Sequence, residues 1–204
     1  LKLNDSLRFN NKVLVIDPTI VFSSYSGSTA GNFGLTATYD LDGNLYSGST
    51  AFSAGYPTVA GSYDETFNGG TVDVAISKFS SDGSSLIYST YLGGTDNECP
   101  HSLVVNSNDE IIVYGTTGSV DFPTSFSGYD NSYNGGTAVG LYGFGFNYLN
   151  GCDIFISKIS VDGSSLLAST YLGGSNNDGM NESDLLVPNY GDFFRGEVIV
   201  DAND

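Results

Sequence analysis

The sequence repeats itself, and this repetition limits the possible folds more than any other feature. Residues 73–94, DVAISKFSSDGSSLIYSTYLGG, and 153–174, DIFISKISVDGSSLLASTYLGG, share sixteen of 22 positions at an offset of 80. Residues 22–27 match residues 88–93 more faintly, at an offset of 66. The basic unit therefore has 66 residues, and the second unit carries 14 extra residues before Asp153. A fixed period of this length predicts a repeat architecture.

Each unit is predicted to form four short strands joined by tight turns. In the first unit the strands are expected at 35–40, 44–49, 73–79 and 85–92. Asp42-Gly43 and Asp82-Gly83 separate paired strands, and Asp-Gly is favoured where a hairpin turn needs positive φ. No stretch shows sustained helical periodicity. Four-stranded units at a fixed period predict an all-β fold, with antiparallel sheets that are blades of a β-propeller.

The repeat divides the chain into four parts of one propeller domain. The expected parts are 1–33, a lead-in with the outer strand or strands of a partial blade; 34–94, the first full blade; 95–174, the second full blade with a loop insertion at 137–152; and 175–204, an extended loop and the first strand of a further blade. The chain is therefore expected to be an incomplete propeller fragment of a larger protein.

Charge and hydrophobicity exclude several classes of function. The chain has 23 acidic and 6 basic residues, for a formal net charge of -17. Such a surface repels phosphate backbones and anionic lipids, which argues against nucleic-acid binding and membrane docking. The hydrophobic content of 40% is too high for a disordered acidic tail. No window approaches 18 apolar residues, so no membrane insertion is expected.

The repeated motif resembles a known family. The run SKxxxDGSSLxxSTYLGG, together with Phe-Pro-Thr at 122–124, resembles the SBBP repeat of bacterial seven-bladed propellers. Residues 15–27 are similar to the segment that introduces such arrays. The resemblance implies a large secreted protein of gliding bacteria, attached to the cell surface and exported by the type IX secretion machinery. It also implies an adhesin-type role in gliding motility.

Export has two covalent implications. Asp5-Ser6-Leu7 resembles the short O-glycosylation motif used on exported proteins of the same bacteria, which makes Ser6 a candidate acceptor. Cys99 and Cys152 are both expected on the loop-bearing face of the second blade. A disulfide between them would fix the long excursion between strands in an exported protein. The alternative is two separate thiols.

The predicted strand directions place both Asp-Gly turns of a blade at one face and all the variation in loop length at the other. Binding sites concentrate on such variable loops. The inserted loop alternates Gly with Tyr142, Phe144, Phe146 and Tyr148, which are candidates for stacking on a surface glycan or contacting a protein ligand. In the alternative, the loop folds back and buries these aromatic side chains against the blade.

A second variable loop follows residue 174 and is acidic and rich in Asn. Asp178, Glu182 and Asp184 are weak candidates for Ca²⁺ ligands, because Ca²⁺ prefers carboxylate and amide oxygens. The alternative is a solvated acidic loop, and no cofactor is required. The segment 40–44 resembles the start of a calcium loop, but it lacks the closing Glu and is predicted to be a hairpin turn.

The sequence offers little support for catalysis. His101 is the single His, and neither a nucleophile elbow nor a phosphate-binding Gly-rich loop is present. Lys78 and Lys158 recur at one strand position, which favours a scaffold contact. We therefore expect a non-catalytic segment that presents loops for adhesion or partner binding. A carbohydrate-active propeller enzyme with paired carboxylates, and a passive structural spacer, are the alternatives.

Overall fold

The computed structural model describes residues 20, 22–141, 145–181, 193–194 and 196–201. These residues form strands, turns and loops, and no helix is assigned among them. Accordingly, this part of the chain holds no helix with the length and hydrophobicity needed to cross a membrane.

The strands form two four-stranded antiparallel sheets. The first sheet has the order β1-β2-β3-β4, and the second has the order β10-β9-β6-β5. The strands of the first sheet are β1 Asn32–Tyr39, β2 Leu45–Ala51, β3 Asp73–Phe79 and β4 Leu86–Leu92. Those of the second sheet are β5 Glu98–Val105, β6 Ile111–Thr117, β9 Asp153–Ile159 and β10 Leu166–Leu172. The all-β prediction is confirmed, and both sheets are consistent with propeller blades.

The inserted loop carries a small sheet of its own. Within the connection from β6 to β9, β7 Val139–Gly140 pairs antiparallel with β8 Asn147–Tyr148. The corresponding connection from β2 to β3 in the first sheet has no strand. The insertion therefore adds local structure at one end of the second sheet and leaves its four-stranded pattern unchanged.

The segment 40–44 is a hairpin turn, as predicted. The Asp40 amide donates to the Asn44 carbonyl at 3.1 Å, and the Asn44 amide donates to Asp40 Oδ1 at 2.8 Å. Gly43 has φ +81°, a conformation that costs an L side chain energy. Asp109 stands at the equivalent turn position of the second sheet with φ 60°. Asp tolerates this left-handed conformation better than most residues, so the turn is retained without Gly.

The two sheets pack face to face and share one hydrophobic core. β5 lies against β1 and β2, which brings the first strands of the two sheets together. The buried core side chains come from both sheets and one connecting loop: Tyr46, Val74, Ile76, Tyr88, Leu92, Leu103, Ile111, Val113, Phe122, Phe155, Ile159 and Tyr171. Burial of each large apolar side chain stabilises by about 1.5–3 kcal/mol, so this interface is a main source of stability.

An aromatic ring of one unit lies over a glycine turn of the next unit. A methyl group added at Gly163 would collide with the Tyr88 ring, and one added at Gly83 would collide with the Phe22 ring. Phe22 and Tyr88 are 66 residues apart in the repeat. Phe22 therefore lies against the first sheet as Tyr88 lies against the second. Residues 1–19 of the expected lead-in fall outside the described residues.

Connecting loops cover part of each outer strand. The Ser125 amide donates to the Ser169 carbonyl at 2.9 Å, and the Tyr171 amide donates to the Asp130 carbonyl at 2.9 Å. In the first sheet the loop at 59–64 makes the same contacts with β4. An uncovered edge strand can pair with another chain, so these loops protect the outer edge of each sheet.

Residues 196–201 were expected to belong to the first strand of a further blade, and they are not assigned as a strand. Val198 donates its amide hydrogen to Ser102 Oγ of β5 at 3.2 Å. A strand requires a ladder of main-chain hydrogen bonds with a neighbour, whereas this contact uses a side chain. The segment nevertheless lies beside β5, where the repeat would place it.

The recurrent lysines form ion pairs within each sheet. Lys78 Nζ lies 3.2 Å from Asp40 Oδ2, and both side chains are at least 93% buried, with exposures of 7% and 1%. Lys158 Nζ lies 2.8 Å from Glu110 Oε2, where the exposures are 36% and 20%. Both lysines are scaffold contacts, as their recurrence predicts.

The partners of the two lysines exchange positions between units. Asp40 aligns with Asn106, and Asn44 aligns with Glu110. Asn44 Nδ2 donates to Asp40 Oδ2 at 2.9 Å, and Asn106 Nδ2 donates to Glu110 Oε2 at 2.9 Å. Each turn therefore contributes one carboxylate and one amide, in opposite order.

We predict that Asp40→Asn lowers the free energy of unfolding by about 3 kcal/mol, because it leaves the Lys78 charge buried without a counter-ion. Glu110→Gln is the matched control and should cost less than about 1 kcal/mol, because water solvates the more exposed Lys158. Urea unfolding of both variants at pH 7 measures the difference. Equal losses in the two variants would contradict the burial argument.

Candidate functional site

The structure buries two of the aromatic side chains proposed as exposed binding residues. Phe146 is 3% exposed and Tyr148 is 0% exposed. They cannot stack on a ligand from solution, so the alternative in which the loop folds back holds for both residues. Tyr142 and Phe144 lie outside the described residues.

The inserted loop folds back because the second variable loop packs on it. Phe146 stacks on Phe194 with ring centroids 6.2 Å apart and contacts Tyr148 edge-on at 5.6 Å. The Tyr148 hydroxyl is 2.9 Å from Thr116 Oγ1 of β6. The apolar side chains of the two loops are thus buried against each other at the end of the second sheet. The alternating Gly pattern could not indicate this, because it does not specify a partner surface.

Cys99 and Cys152 are not joined by a disulfide. Cys99 pairs with Thr116 on β6, while Asp153, the residue after Cys152, pairs with Thr117 from the opposite side of β6. Two strand spacings amount to about 10 Å, beyond the roughly 7 Å between Cα atoms that a disulfide allows. Both thiols are instead buried in one apolar cluster with Tyr148. Burial raises the pKa of the Cys99 thiol well above its usual value.

His101 is unsuited to acid–base catalysis. Its Nε2 lies 3.1 Å from Thr116 Oγ1, and its ring contacts Tyr114 and Phe194 with centroids at 5.5 and 5.0 Å. The buried Nδ1 has no hydrogen-bond partner among the described residues. Burial lowers the pKa of His101 to about 3, so the ring is neutral at physiological pH. A general base works best with a pKa near the operating pH.

Two buried carboxyl groups meet beside Gly93, between the two sheets. A methyl group at Gly93 would lie 2.6 Å from Glu98 Oε2 and 3.0 Å from Asp73 Oδ1. Glu98 accepts hydrogen bonds from Thr117 Oγ1 at 2.6 Å and Ser119 Oγ at 2.5 Å. Asp73 Oδ2 accepts a hydrogen bond of 2.6 Å from the Asn68 amide, and Asp73 Oδ1 has no partner among the described residues.

This carboxyl pair has raised pKa values. Burial raises the pKa of Asp73 from 3.8 to about 7, and the charge of Asp64 adds to the rise. Burial also raises the pKa of Glu98 well above its usual value, against the lowering effect of its hydroxyl donors. Perturbed carboxyl groups often mark functional sites. Both side chains here are 0% exposed, so a substrate cannot reach them.

The pair recurs in the second unit, where Asp153 is again buried and Asp178 is partly exposed. Asp153 and Asp178 align with Asp73 and Glu98 at the offset of 80, and both approach Gly173. The Gly174 amide donates a hydrogen bond to Asp178 Oδ2 at 2.7 Å. Of the calcium candidates, Glu182 and Asp184 lie outside the described residues. The described residues contain no group of three His, Cys, Asp or Glu side chains able to hold a metal ion.

Exposed apolar side chains lie on the connecting loop at the outer edge of the second sheet, a feature that sequence reasoning missed. Val120 is 72% exposed, Phe126 is fully exposed and Tyr129 is 88% exposed. The first unit has Ala54 and Ala60 at the positions of Val120 and Phe126, and both are exposed there. Alignment of the two units, position by position, would have revealed these substitutions.

A groove of about 800 Å³ lies on the open face of the second sheet. Its floor includes Ile112, Ile156 and Ala168, and Tyr129 contributes to its wall. Residues 198–201 form its other side. The groove combines an apolar floor with hydroxyl, amide and lysine groups, which is the composition of a surface able to bind a ligand or a partner.

Comparison with protein-family models and with curated proteins found no match to this chain. The similarity to the SBBP repeat therefore depends on the motifs quoted above and stays a prediction.

We predict that Asp73→Asn reduces the pH dependence of stability between pH 4 and pH 7. The folded state binds the Asp73 proton more tightly than the unfolded state, so the free energy of unfolding falls as pH rises through this window. Asn cannot ionise at position 73. Loss of the Asp73 charge also removes one cause of the raised pKa of Glu98. Thermal unfolding from pH 4 to pH 8 measures the slope.

Asp82→Asn is the control for this experiment. Hydrogen bonds from Ser80 and Ser84 lower the pKa of the exposed Asp82 to about 2. Its titration falls below the window, so the variant should keep the slope of the parent chain. A parent chain with constant stability from pH 4 to pH 7 would contradict the buried pair.

We predict that the native chain has the same mass with and without a reductant, because β6 separates the thiol of Cys99 on β5 from that of Cys152, which immediately precedes β9. Both side chains are buried, so iodoacetamide should modify them only after unfolding. Intact-mass measurement in buffer and in guanidinium chloride tests both statements. A mass increase of two daltons on reduction would show a disulfide.

Proposed function

We propose that the chain is a non-catalytic propeller segment of an exported, cell-surface protein, and that its loops bind an extracellular glycan or protein. The proposal follows from what the repeated polar residues do and from which side chains the loops expose.

The chemically reactive side chains of the repeat are used by the scaffold. Lys78 is buried in an ion pair with Asp40, and the side chains of Asp73 and Glu98 are buried. His101 is neutral and covered by aromatic rings. The lining of the groove on the second sheet contains one carboxylate, that of Asp201, so the described residues favour binding over hydrolysis.

The observation that carries the proposal is the exposure of Phe126 and Val120. The aligned Ala60 and Ala54 are exposed although the second sheet covers the first, so exposure at these positions does not depend on a missing neighbour. Ser125 anchors the loop to β10 through three hydrogen bonds with Ser169. A fixed loop that exposes an aromatic ring loses little entropy on binding, which favours recognition.

The export part of the proposal depends on the motifs. The similarity to SBBP repeats favours secretion by the type IX machinery, a cell-surface location and a role in adhesion or gliding. The net charge of -17 agrees with a surface that avoids nucleic acid and anionic membranes. Glycosylation of Ser6 and Ca²⁺ binding near Asp178 belong to the same proposal, and binding by the loop requires neither.

We predict that Phe126→Ala weakens binding at least tenfold, and that Val120→Ala weakens it less. Each change restores the alanine of the first unit and removes only exposed surface, so stability should stay within about 0.5 kcal/mol. The measurement is binding to a glycan array and to intact bacterial cells, followed by titration of any ligand found. Ile87→Ala, at an apolar side chain 42% exposed on the first sheet, is the control.

The results separate the proposed function from its alternatives. Binding that survives both loop variants would contradict the assignment to this loop. Absence of binding to every glycan and cell surface would favour a passive spacer. Cleavage of a glycan by the parent chain would show an enzyme.

A further inference from the structure

The ion pair of Lys78 and Asp40 connects the first and third strands of the first sheet. Lys78 on β3 stands opposite Tyr46 on β2, and Asp40 is the residue that follows β1. The Lys78 side chain reaches across β2, where its Nζ lies 4.8 Å from the centre of the Tyr46 ring. The Tyr46 ring therefore holds the ammonium group in place against the Asp40 carboxyl, 3.2 Å from Oδ2.

Hydrogen-bond donors surround both oxygens of the Asp40 carboxyl. Oδ1 accepts the main-chain amide hydrogen of Asn44 at 2.8 Å. Oδ2 accepts hydrogen bonds from Asn44 Nδ2 at 2.9 Å and from the Tyr46 hydroxyl at 3.3 Å. A fixed amide donor stabilises the negative charge that develops on a carbonyl oxygen when a nucleophile attacks its carbon. The donors at Oδ2 favour departure of that oxygen as water, so the carboxyl is arranged to be attacked by an amine.

Burial favours joining the two groups. Both side chains are almost completely buried, and ions kept away from water carry a desolvation penalty that a neutral amide does not have. Two groups held in contact react as if their concentration were on the order of 10⁵ M or more. Proximity therefore favours condensation, and the scarcity of water at the pair slows the reverse hydrolysis.

The pair is ionic before any reaction. Burial raises the pKa of Asp40, but the hydrogen bonds from Asn44 and the charge of Lys78 outweigh it, so the pKa lies below its usual value. Condensation must then begin with transfer of a proton from Lys78 to Asp40. This requirement makes the reaction slow, so we expect it to follow folding rather than accompany it.

The second unit provides an internal comparison. Lys158 Nζ lies 2.8 Å from Glu110 Oε2, which is closer than in the first pair, but both side chains are partly exposed to water. Ile112 stands at the position of Tyr46, so neither its hydroxyl donor nor its ring is present. Contact alone is thus common to both units, whereas enclosure and the tyrosine belong to the first.

We propose that Lys78 and Asp40 form an intramolecular isopeptide bond after the chain folds. One ammonium proton moves to Asp40 Oδ2, and the free electron pair of Lys78 Nζ then attacks Asp40 Cγ. A second proton passes from Nζ to Oδ2, and the Cγ–Oδ2 bond breaks to release water. One ammonium and one carboxylate give one amide and one water, with no oxidant or cofactor. The bond attaches the turn after β1 to β3, whether or not the loop at 120–130 binds a ligand.

Mass spectrometry of the full chain, purified in its native state, tests the proposal. We expect a mass lower than that of the sequence by one water molecule. After denaturation, trypsin should cleave after Lys158 but not after Lys78, because an acylated lysine has lost the charge that trypsin recognises. The diagnostic product spans residues 13–158 and carries the whole mass deficit.

Two lysine variants distinguish this bond from cyclisation of an Asp-Gly turn, which also releases water. Lys78→Met should restore the full mass, because it removes the amine. Lys158→Met is the matched control and should keep the deficit.

Two tyrosine variants test the site without removing either reacting group. Tyr46→Phe should slow the appearance of the mass deficit after cell-free synthesis at least about tenfold, since it removes a donor at Oδ2. Tyr88→Phe is the control, because the buried Tyr88 hydroxyl has no hydrogen-bond partner among the described residues and the ring packs edge-on against Tyr46. Its rate should stay within about twofold of the parent chain.

Three outcomes would overturn the proposal. The first is the full sequence mass together with cleavage after Lys78. The second is a mass deficit that persists in Lys78→Met, which would identify a cyclised Asp-Gly turn. The third is equal slowing by both tyrosine variants, which would show that the Tyr46 hydroxyl has no part in the reaction.

Discussion

The structure depends on contact between one four-stranded sheet and the next. Each sheet has an apolar face that it cannot bury alone. The core side chains, which include Tyr46 of the first sheet and Tyr171 of the second, are buried because both sheets contribute to one core. The ring of Tyr88 over Gly163 fixes the relative position of the sheets, because only glycine leaves room for that approach. Stability in this molecule is therefore a property of neighbouring units, as in other repeat proteins.

Polar groups make the interface specific. The Asp73–Glu98 pair lies where the sheets meet, and hydroxyl groups of the second sheet satisfy Glu98. Buried polar groups that have partners only in one arrangement penalise every other arrangement. At the opposite end of the sheets, each lysine has its carboxylate within its own unit. Specificity between units and stability within a unit thus come from different ends of the same strands.

Much of the fold follows from local sequence. The repeat period, the Asp-Gly pairs and the β-branched residues predict the strands, because turn geometry and strand propensity are local. Burial of Phe146 and Tyr148 could not be predicted in this way, since it depends on Phe194 from a distant loop. The separation of Cys99 from Cys152 depends on which strand lies between them, a property of the sheet order. The replacement of Ala60 by Phe126 can be found by aligning the two units, but its exposure depends on how the connecting loop lies on the second sheet.

The exchanged carboxylate and amide at the two lysine turns limit how such a gene can rearrange. A crossover between positions 40 and 44 would join Asp40 to a glutamate like Glu110, or Asn106 to an asparagine like Asn44. The first product places two carboxylates beside one lysine, and the second leaves the lysine with none. Recombination between units therefore keeps one carboxylate beside each lysine only when its breakpoints lie outside the turn, so that each turn is inherited whole.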